Sequence, residues 1–310
     1  MRSYALVGPG AVGGLYAGRL AAAGHELHVL ARSDAAHLRE HGLVVESPGG
    51  DLHVHPAVHT DPGTIPPVDV VIVGVKTTSN DMLPALLGPI TGPGTIVVNL
   101  QNGLGVEADA AAAAPGATVL GGLCFVCAAK EGPGHVRHLD YGGVTLAQHN
   151  ADGSAAGITP ELQAVADDMT ASGTDVTADP DLGAARWRKL VWNVPYNGLT
   201  VVLDAGTDEL MSDPASRALV ESLMAEVGAG ARAVGRPLPD GFIDQMLRYT
   251  DVMVPYRPSM KLDFDARRRL EVDAIYARPV AAARAAGVEL PRIEVLRRQL
   301  AFLDQRSSRH

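Results

Sequence analysis

Tyr4-Ala5-Leu6-Val7-Gly8-Pro9-Gly10-Ala11-Val12-Gly13-Gly14 decides how the first half of this chain is read. Tyr4 to Val7 is a short apolar run with the character of a strand, and it ends in Gly-x-Gly-x-x-Gly at Gly8, Gly10 and Gly13. A helical pattern opens at once through Leu15, Ala17, Leu20 and Ala21. In such a strand-turn-helix Gly8 makes the tight turn, Gly10 lets backbone approach a pyrophosphate, and Gly13 lets helix pack closely on strand. The helix N-terminus and its N–H groups then present a positive end to phosphates. A lone glycine loop is a weak signal. Here strand precedes it, helix follows it, and a second strand, Glu26 to Leu30, comes after Gly24 at the expected distance. Gly8, Pro9, Gly10, Ala11, Val12 and Gly13 are therefore the expected cradle of a dinucleotide.

The end of the second strand bears on which dinucleotide. An NAD site places Asp or Glu about 20 residues beyond the glycines, to accept from the ribose hydroxyls. This chain has Leu30-Ala31-Arg32-Ser33 there. A carboxylate would repel a 2′-phosphate, whereas a guanidinium can bind it bidentately. Arg32 could also be a plain solvated loop cation, but NADP(H) is the expected cofactor.

Working outward, 310 residues suffice for two ordinary domains, and 46% apolar with 20% charged residues is the composition of a globular protein. A net charge of −9 argues against nucleic acid as the main partner, because phosphate binding needs a concentrated positive face. No apolar run approaches the roughly 18–20 residues needed to span a bilayer. The first residues lead straight into a strand, with no room for a signal peptide, so cytoplasm is the expected compartment. Cys124 and Cys127 form a single C-x-x-C without a second ligand pair. A redox dithiol is one reading, and two reduced thiols in a buried strand is the preferred one. His53, His55 and His59 fit an exposed strand face better than a metal site, since no carboxylate cluster joins them.

Asp69 to Val75 and Thr95 to Asn99 are continuous apolar runs, as expected of parallel strands covered on both faces. Open parallel sheets bind ligands beyond the carboxyl ends of their strands, which puts Lys76 and Asn102 at ligand positions. An Asn-Gly turn is the alternative for Asn102. Val119 to Ala128 reads as a further strand, and His135–Leu139 with Gly143–Gln148 as a hairpin around Asp140-Tyr141-Gly142. After Ala178-Asp179-Pro180-Asp181 strand signals vanish and long helical patterns take over. The expected architecture is a Rossmann-type doubly wound α/β sheet over residues 1–180, followed by an all-helical domain over residues 181–310.

The second part opens on a helix, Asp181 to Gly198, with Pro195 inside it. Lys189, Asn193 and Asn197 are spaced by four and share one face. A solvated face is one account of them, but asparagine is a poor helix former without charge, so hydrogen bonds converging on a ligand explain them better. Further on, Ser259 is a natural N-cap, Asp263 lies four residues later, and Glu271 and Asp273 are expected on the helical run that follows. The apolar helical part is compatible with a homodimer.

These pieces together resemble the ketopantoate reductase (2-dehydropantoate 2-reductase) family. The resemblance spans nearly the whole chain and keeps the family's order: the Gly8–Gly13 loop, Val75-Lys76-Thr77, Gln101-Asn102-Gly103, Lys189-x-x-x-Asn193-x-x-x-Asn197, Ser259-Met260-x-x-Asp263 and Glu271-Val272-Asp273. The loop is common to many dehydrogenases, while the later pieces are specific. The resemblance implies NADPH-dependent reduction of a 2-keto acid in the pantothenate route to coenzyme A. It implies Lys189 as proton donor, with Asn102, Asn193, Asn197 and Ser259 on the substrate. It puts Lys76, Asn102 and Glu271 at the cofactor and the cleft between the halves, with Asp263 in support. Ala274-Ile275-Tyr276-Ala277 departs from the family's Ile-Asn-Gly, Leu270 and Pro258 replace a common Thr and Ser, and Thr207 stands where some members carry another asparagine. These departures leave the reduction chemistry intact and the keto acid open.

Overall fold

The computed structural model describes residues 1–307, and ten strands in it form one sheet. They are β1 (Ser3–Val7), β2 (Glu26–Leu30), β3 (Leu43–Glu46), β4 (Leu52–Val54), β5 (Ala57–His59), β6 (Val70–Val73), β7 (Ile96–Asn99), β8 (Thr118–Gly132), β9 (His135–Gln148) and β10 (Val176–Ala178). The order is β4-β3-β9-β8-β7-β6-β1-β2-β5, with β10 on β9. From β5 to the start of β8 the pairs are parallel, and β8 with β9 is antiparallel. Alternation along the central strands feeds two cores. Tyr4, Leu6, Val70 and Ile72 face one, and Ala5, Val7, Val71 and Val73 the other, all of them buried.

Five helices cover this sheet: α1 (Ala11–Ala22), α2 (Ala35–His41), α3 (Leu83–Leu87), α4 (Val106–Ala113) and α5 (Pro160–Ala171). α1 touches β1, β2 and β6 in the centre and also β3, β4, β8 and β9, so the sheet curls around it as a half-barrel. Two small residues permit that approach. A Cβ on Gly14 would lie 2.8 Å from Val136 Cγ2, and one on Gly18 3.1 Å from Val45 Cγ2.

The expected hairpin at Asp140-Tyr141-Gly142 is not what forms. β9 runs unbroken through it, and the chain reverses earlier, where Gly134 takes φ +62°. Tyr141 (φ 58°) and Gly142 (φ 113°) instead make a bulge, with Phe125 opposite Gly143 and Val126 opposite Tyr141. Turn and bulge ask for the same left-handed backbone, so the triplet carried a turn signal without being a turn.

The chain divides into two compact units, residues 1–101 with 106–182, and residues 102–105 with 183 onward. The helical unit therefore takes in Asn102–Gly105 and otherwise begins at Gly183. Its helices are α6 (Leu182–Val202), α7 (Thr207–Ser212), α8 (Pro214–Ala233), α9 (Phe242–Asp251), α10 (Ser259–Asp265), α11 (Arg278–Ala285) and α12 (Pro291–Ser307), with a π-helical turn at Asp273–Ala277. Asp213 caps α8, its carboxylate accepting from Ser216 N–H at 2.8 Å ahead of Pro214 in the first turn. The buried Glu226 carboxylate accepts from the N–H groups of Arg292 and Ile293 at the start of α12. A charged acceptor there meets the positive end of the helix. Tyr276, fully buried in the π turn, donates to Val194 O at 3.0 Å, and Gly198 leaves room for its hydroxyl.

Candidate active site

In the first unit the glycine loop is a close-packed device of backbone. Gly8 has φ +88°, and a Cβ there would sit 2.5 Å from Val75 Cγ1. A Cβ on Gly13 would be 2.8 Å from Leu6 Cδ1, so helix and strand could not approach as they do. Gly10, by contrast, has nothing nearer its Cβ position than Gly74 O at 3.7 Å. It is also the N-cap of α1, with no side-chain cap and no acidic residue in the first turn. An uncapped helix N-terminus, free of carboxylates and open at Gly10, fits a pyrophosphate. The sequence reading passed over Gly74 as part of a strand. A Cβ on it would fall 2.7 Å from Gly8 O, so the cradle needs a fourth glycine, just past the end of β6. A glycine inside an otherwise apolar strand was the available signal.

Arg32 lies two residues past the end of β2, is exposed, and has no hydrogen-bond or ion-pair partner among the described residues. Two residues on, Asp34 is buried and paired with the Lys130 ammonium. Its carboxylate also accepts from the Ser33 hydroxyl at 3.0 Å and Gly134 N–H at 3.3 Å. Burial works to raise this carboxyl's pKa; the Lys130 and Ser33 bonds outweigh it and hold the group below the usual carboxylate range.

The carboxyl ends of β6 and β7 are braced by amides. Gln101 donates to Val75 O at 2.9 Å and to Asn80 Oδ1 at 2.7 Å, and Asn80 donates to Asp109 at 2.7 Å. The fully buried Asn99 accepts from Gln101 N–H at 3.0 Å and donates to Val106 O at 2.9 Å. This network fixes the segment that leads into Lys76, which is half-buried just before a 3₁₀ turn at Thr77–Met82. Asn80 and Asn99 were not singled out from the sequence. An asparagine closing an apolar strand was the hint.

In the helical unit, α6 carries Lys189, Asn193 and Asn197 in one unbroken helix, with Lys189 half-buried and both asparagines 2% exposed. Asn193 Nδ2 donates to Asn102 Oδ1 at 3.3 Å. The Asn102 segment is held in turn by Leu104 N–H on Ala274 O at 2.9 Å. Gly103, at φ +105°, lies so close to Ala274 that a Cβ would meet its carbonyl at 2.5 Å. The Asn-Gly turn is thus made by Gly103, and the Asn102 side chain bonds the stripe. Asn197 Oδ1 accepts from Met260 N–H at 3.2 Å, which pins the start of α10 and leaves the Asn197 amide protons to donate elsewhere.

Two sequence expectations are corrected here, at Ser259 and at Glu271. Ser259 is not the N-cap of α10; Pro258 holds that position without a side-chain bond, and Ser259 is the first helical residue. Its half-buried hydroxyl has no hydrogen-bond partner among the described residues. Glu271 lies just ahead of the helical run rather than on it, buried, its carbonyl accepting from Ile275 N–H at 3.2 Å. Thr207 spends its hydroxyl on the backbone of Tyr256, donating to its carbonyl at 3.2 Å. Asp263 is buried, accepts from Arg268 Nε at 2.9 Å, and so ties the end of α10 to the loop after it. Cys124 and Cys127 are buried in β8 and are not disulfide-bonded.

Comparison with known proteins places the chain in a family. The ketopantoate reductase PanE/ApbA family pattern matches residues 4–151, and its C-terminal counterpart matches residues 181–304. The 2-dehydropantoate 2-reductase of Nostoc sp. is 49% identical over 99% of this chain and 96% of its own length. That of Mycobacterium tuberculosis is 31% identical over 94% of each. The crystal structure of 2-dehydropantoate 2-reductase from Geobacter metallireducens superposes with a TM-score of 0.90 at 36% identity, covering 96% of this chain and 99% of that one. No helix among the described residues is long and apolar enough to cross a membrane. The chain belongs to the ketopantoate reductase family and is an oxidoreductase.

Proposed function

We propose that this protein reduces 2-dehydropantoate (ketopantoate) to pantoate with NADPH, the step that feeds pantothenate and coenzyme A synthesis. The observation that carries the reading is the α6 stripe. One ammonium, Lys189, lies in line with two buried amides, and these are fixed by Asn102 and by the start of α10. When bound, the dihydronicotinamide supplies a hydride. As the keto carbon is reduced, negative charge grows on its oxygen, and Lys189 stabilises that oxygen and then protonates it. A positioned general acid contributes roughly 10²–10⁴ in rate. Asn193, Asn197, Asn102 and the Ser259 hydroxyl hold the substrate's carboxylate and hydroxyl as neutral partners. Gly8 to Gly13 hold the pyrophosphate, Arg32 the 2′-phosphate, and Lys76, Asn102 and Glu271 the nicotinamide side. Asp263 supports α10. The protein works in the cytoplasm, and a homodimer is its expected assembly.

A second reading keeps the chemistry and changes the 2-keto acid. It is favoured by Thr207, whose hydroxyl is committed to Tyr256 and so offers no polar partner where some family members carry asparagine. Spectrophotometric oxidation of NADPH across a panel of 2-keto acids decides between them. The expected result is the highest kcat/KM for ketopantoate. A bulkier keto acid preferred over it would establish the second reading, and no turnover with any would refute both.

A further inference from the structure

Two opposite charges stand two residues apart where β2 ends, and the fold treats them differently. The Arg32 guanidinium is exposed and has no partner among the described residues. The Asp34 carboxylate has a side chain only 6% exposed and is held from three sides, by the Lys130 ammonium, the Ser33 hydroxyl and Gly134 N–H. The lysine comes from the far end of β8, and the glycine from the turn into β9. This is the neighbourhood in which NAD enzymes keep a carboxylate to accept from ribose hydroxyls. Here such a carboxylate is present, turned inward and neutralised by a cation brought from across the sheet.

We propose that Lys130 is a specificity-determining residue: by pairing with Asp34 it cancels the negative charge that would otherwise oppose a 2′-phosphate, and so leaves Arg32 free to bind one. The inference rests on the NADPH reading above and goes beyond it, since it assigns cofactor choice to a residue remote in sequence from the glycine loop. Without the ammonium, Asp34 has two outlets. It can remain charged near the adenosine ribose and repel phosphate, or it can draw the Arg32 guanidinium onto itself. Both weaken NADPH, and neither harms NADH, whose ribose hydroxyls can donate to a carboxylate.

The test is calorimetric titration of NADPH and NADH into the whole protein, without substrate, so that affinity is read apart from turnover. Lys130→Met is expected to shift the ratio of the two dissociation constants toward NADH by roughly tenfold, the scale of one unscreened charge near a protein surface. The shift should shrink as salt is raised. Adding Asp34→Asn to Lys130→Met should restore the ratio, because the carboxylate rather than the lost lysine does the damage. Lys130→Arg, which keeps the charge, should leave it unchanged. An unaltered ratio in Lys130→Met, or a double variant as poor as the single one, overturns the proposal. If Lys130→Met does not fold, Asp34→Asn alone serves: NADPH preference retained or strengthened supports the idea, and preference lost overturns it. Equal binding of both nucleotides by the unaltered protein would refute the NADPH reading itself, a result distinguishable from failure of this inference alone.

Discussion

The cradle after β1 is made of backbone and the stripe on α6 of side chains, so the two respond differently to change. In the cradle, Gly8, Gly13 and Gly74 leave no space where a Cβ would sit, and the groups proposed to recognise phosphate are backbone N–H groups, which every residue but proline has. In the stripe, the proposed chemistry resides in an ammonium and two amides, and the amides are oriented from afar, by Asn102 and by Met260. Substitution in the cradle should act by displacing atoms. Substitution in the stripe should act by removing a function from a fold left standing.

The largest effect expected follows from that contrast. Lys189→Ala should cut turnover by roughly 10²-fold or more, the scale of a general acid, while NADPH affinity in a binding titration changes little. Near-normal turnover in the folded variant would remove Lys189 from the mechanism and leave its two neighbouring amides as structural braces. Next in size is Arg32→Ala. Loss of charge-assisted bonds to a 2′-phosphate, about 1.5–3 kcal/mol, should weaken NADPH by roughly 10–100-fold and NADH hardly at all. Equal weakening of both would make Arg32 an ordinary loop cation.

Gly74→Ala breaks the comparison from the other side. The new methyl would press on Gly8 O at 2.7 Å, backbone that cannot swing away. Overpacking of this kind costs about 1–3 kcal/mol, and distortion of the loop should weaken NADPH and NADH alike. That parallel loss, read by thermal melting and titration together, separates it from Arg32→Ala. Unchanged melting would mean that the cradle yields more easily than its packing implies.

How far each region could be read in advance follows the same division. The three loop glycines were legible because their spacing is local and their reason is steric, and the apolar strands because a covered parallel sheet needs them. Gly74 was not, since its partner Gly8 lies 66 positions away. Periodicity aligned Lys189, Asn193 and Asn197, and only resemblance joined them to Asn102 and Ser259. The fold adds the Asn102–Asn193 and Asn197–Met260 bonds, which no spacing rule contains. The bulge at Tyr141-Gly142 and the Asp34–Lys130 pair were hidden for one reason: a local signal, turn-like or acidic, had its meaning set by a strand distant in sequence.

The two asparagines of the stripe should separate by about 1 kcal/mol. Asn197→Ala leaves the buried Met260 N–H without its acceptor, which costs on the order of 1–3 kcal/mol in addition to a raised KM. Asn193→Ala removes a donor to the half-buried Asn102, so KM should rise with a smaller loss of stability. Chemical denaturation of the two variants side by side measures the difference, and equal loss would mean that the Met260 bond contributes nothing.

The smallest effect on stability, and the one that most directly weighs ligand against fold, is expected at Ser259. Its position in the sequence suggests a cap, and loss of a cap typically costs about 1 kcal/mol. In the fold Pro258 occupies the N-cap, so the Ser259 hydroxyl satisfies no helix N–H. Ser259→Ala should therefore change stability by no more than a few tenths of a kcal/mol, as at a surface site without special partners. If the hydroxyl holds substrate, KM for the keto acid should still rise several-fold, on the order of one hydrogen bond of about 1 kcal/mol. Urea denaturation and steady-state kinetics on one preparation give both numbers. A stability loss near 1 kcal/mol with unchanged KM would return Ser259 to the scaffold, and the stripe would lose its contribution from α10. A raised KM with intact stability would instead extend the side-chain-built site from α6 to α10, leaving Asn197 as the residue that both orients and binds.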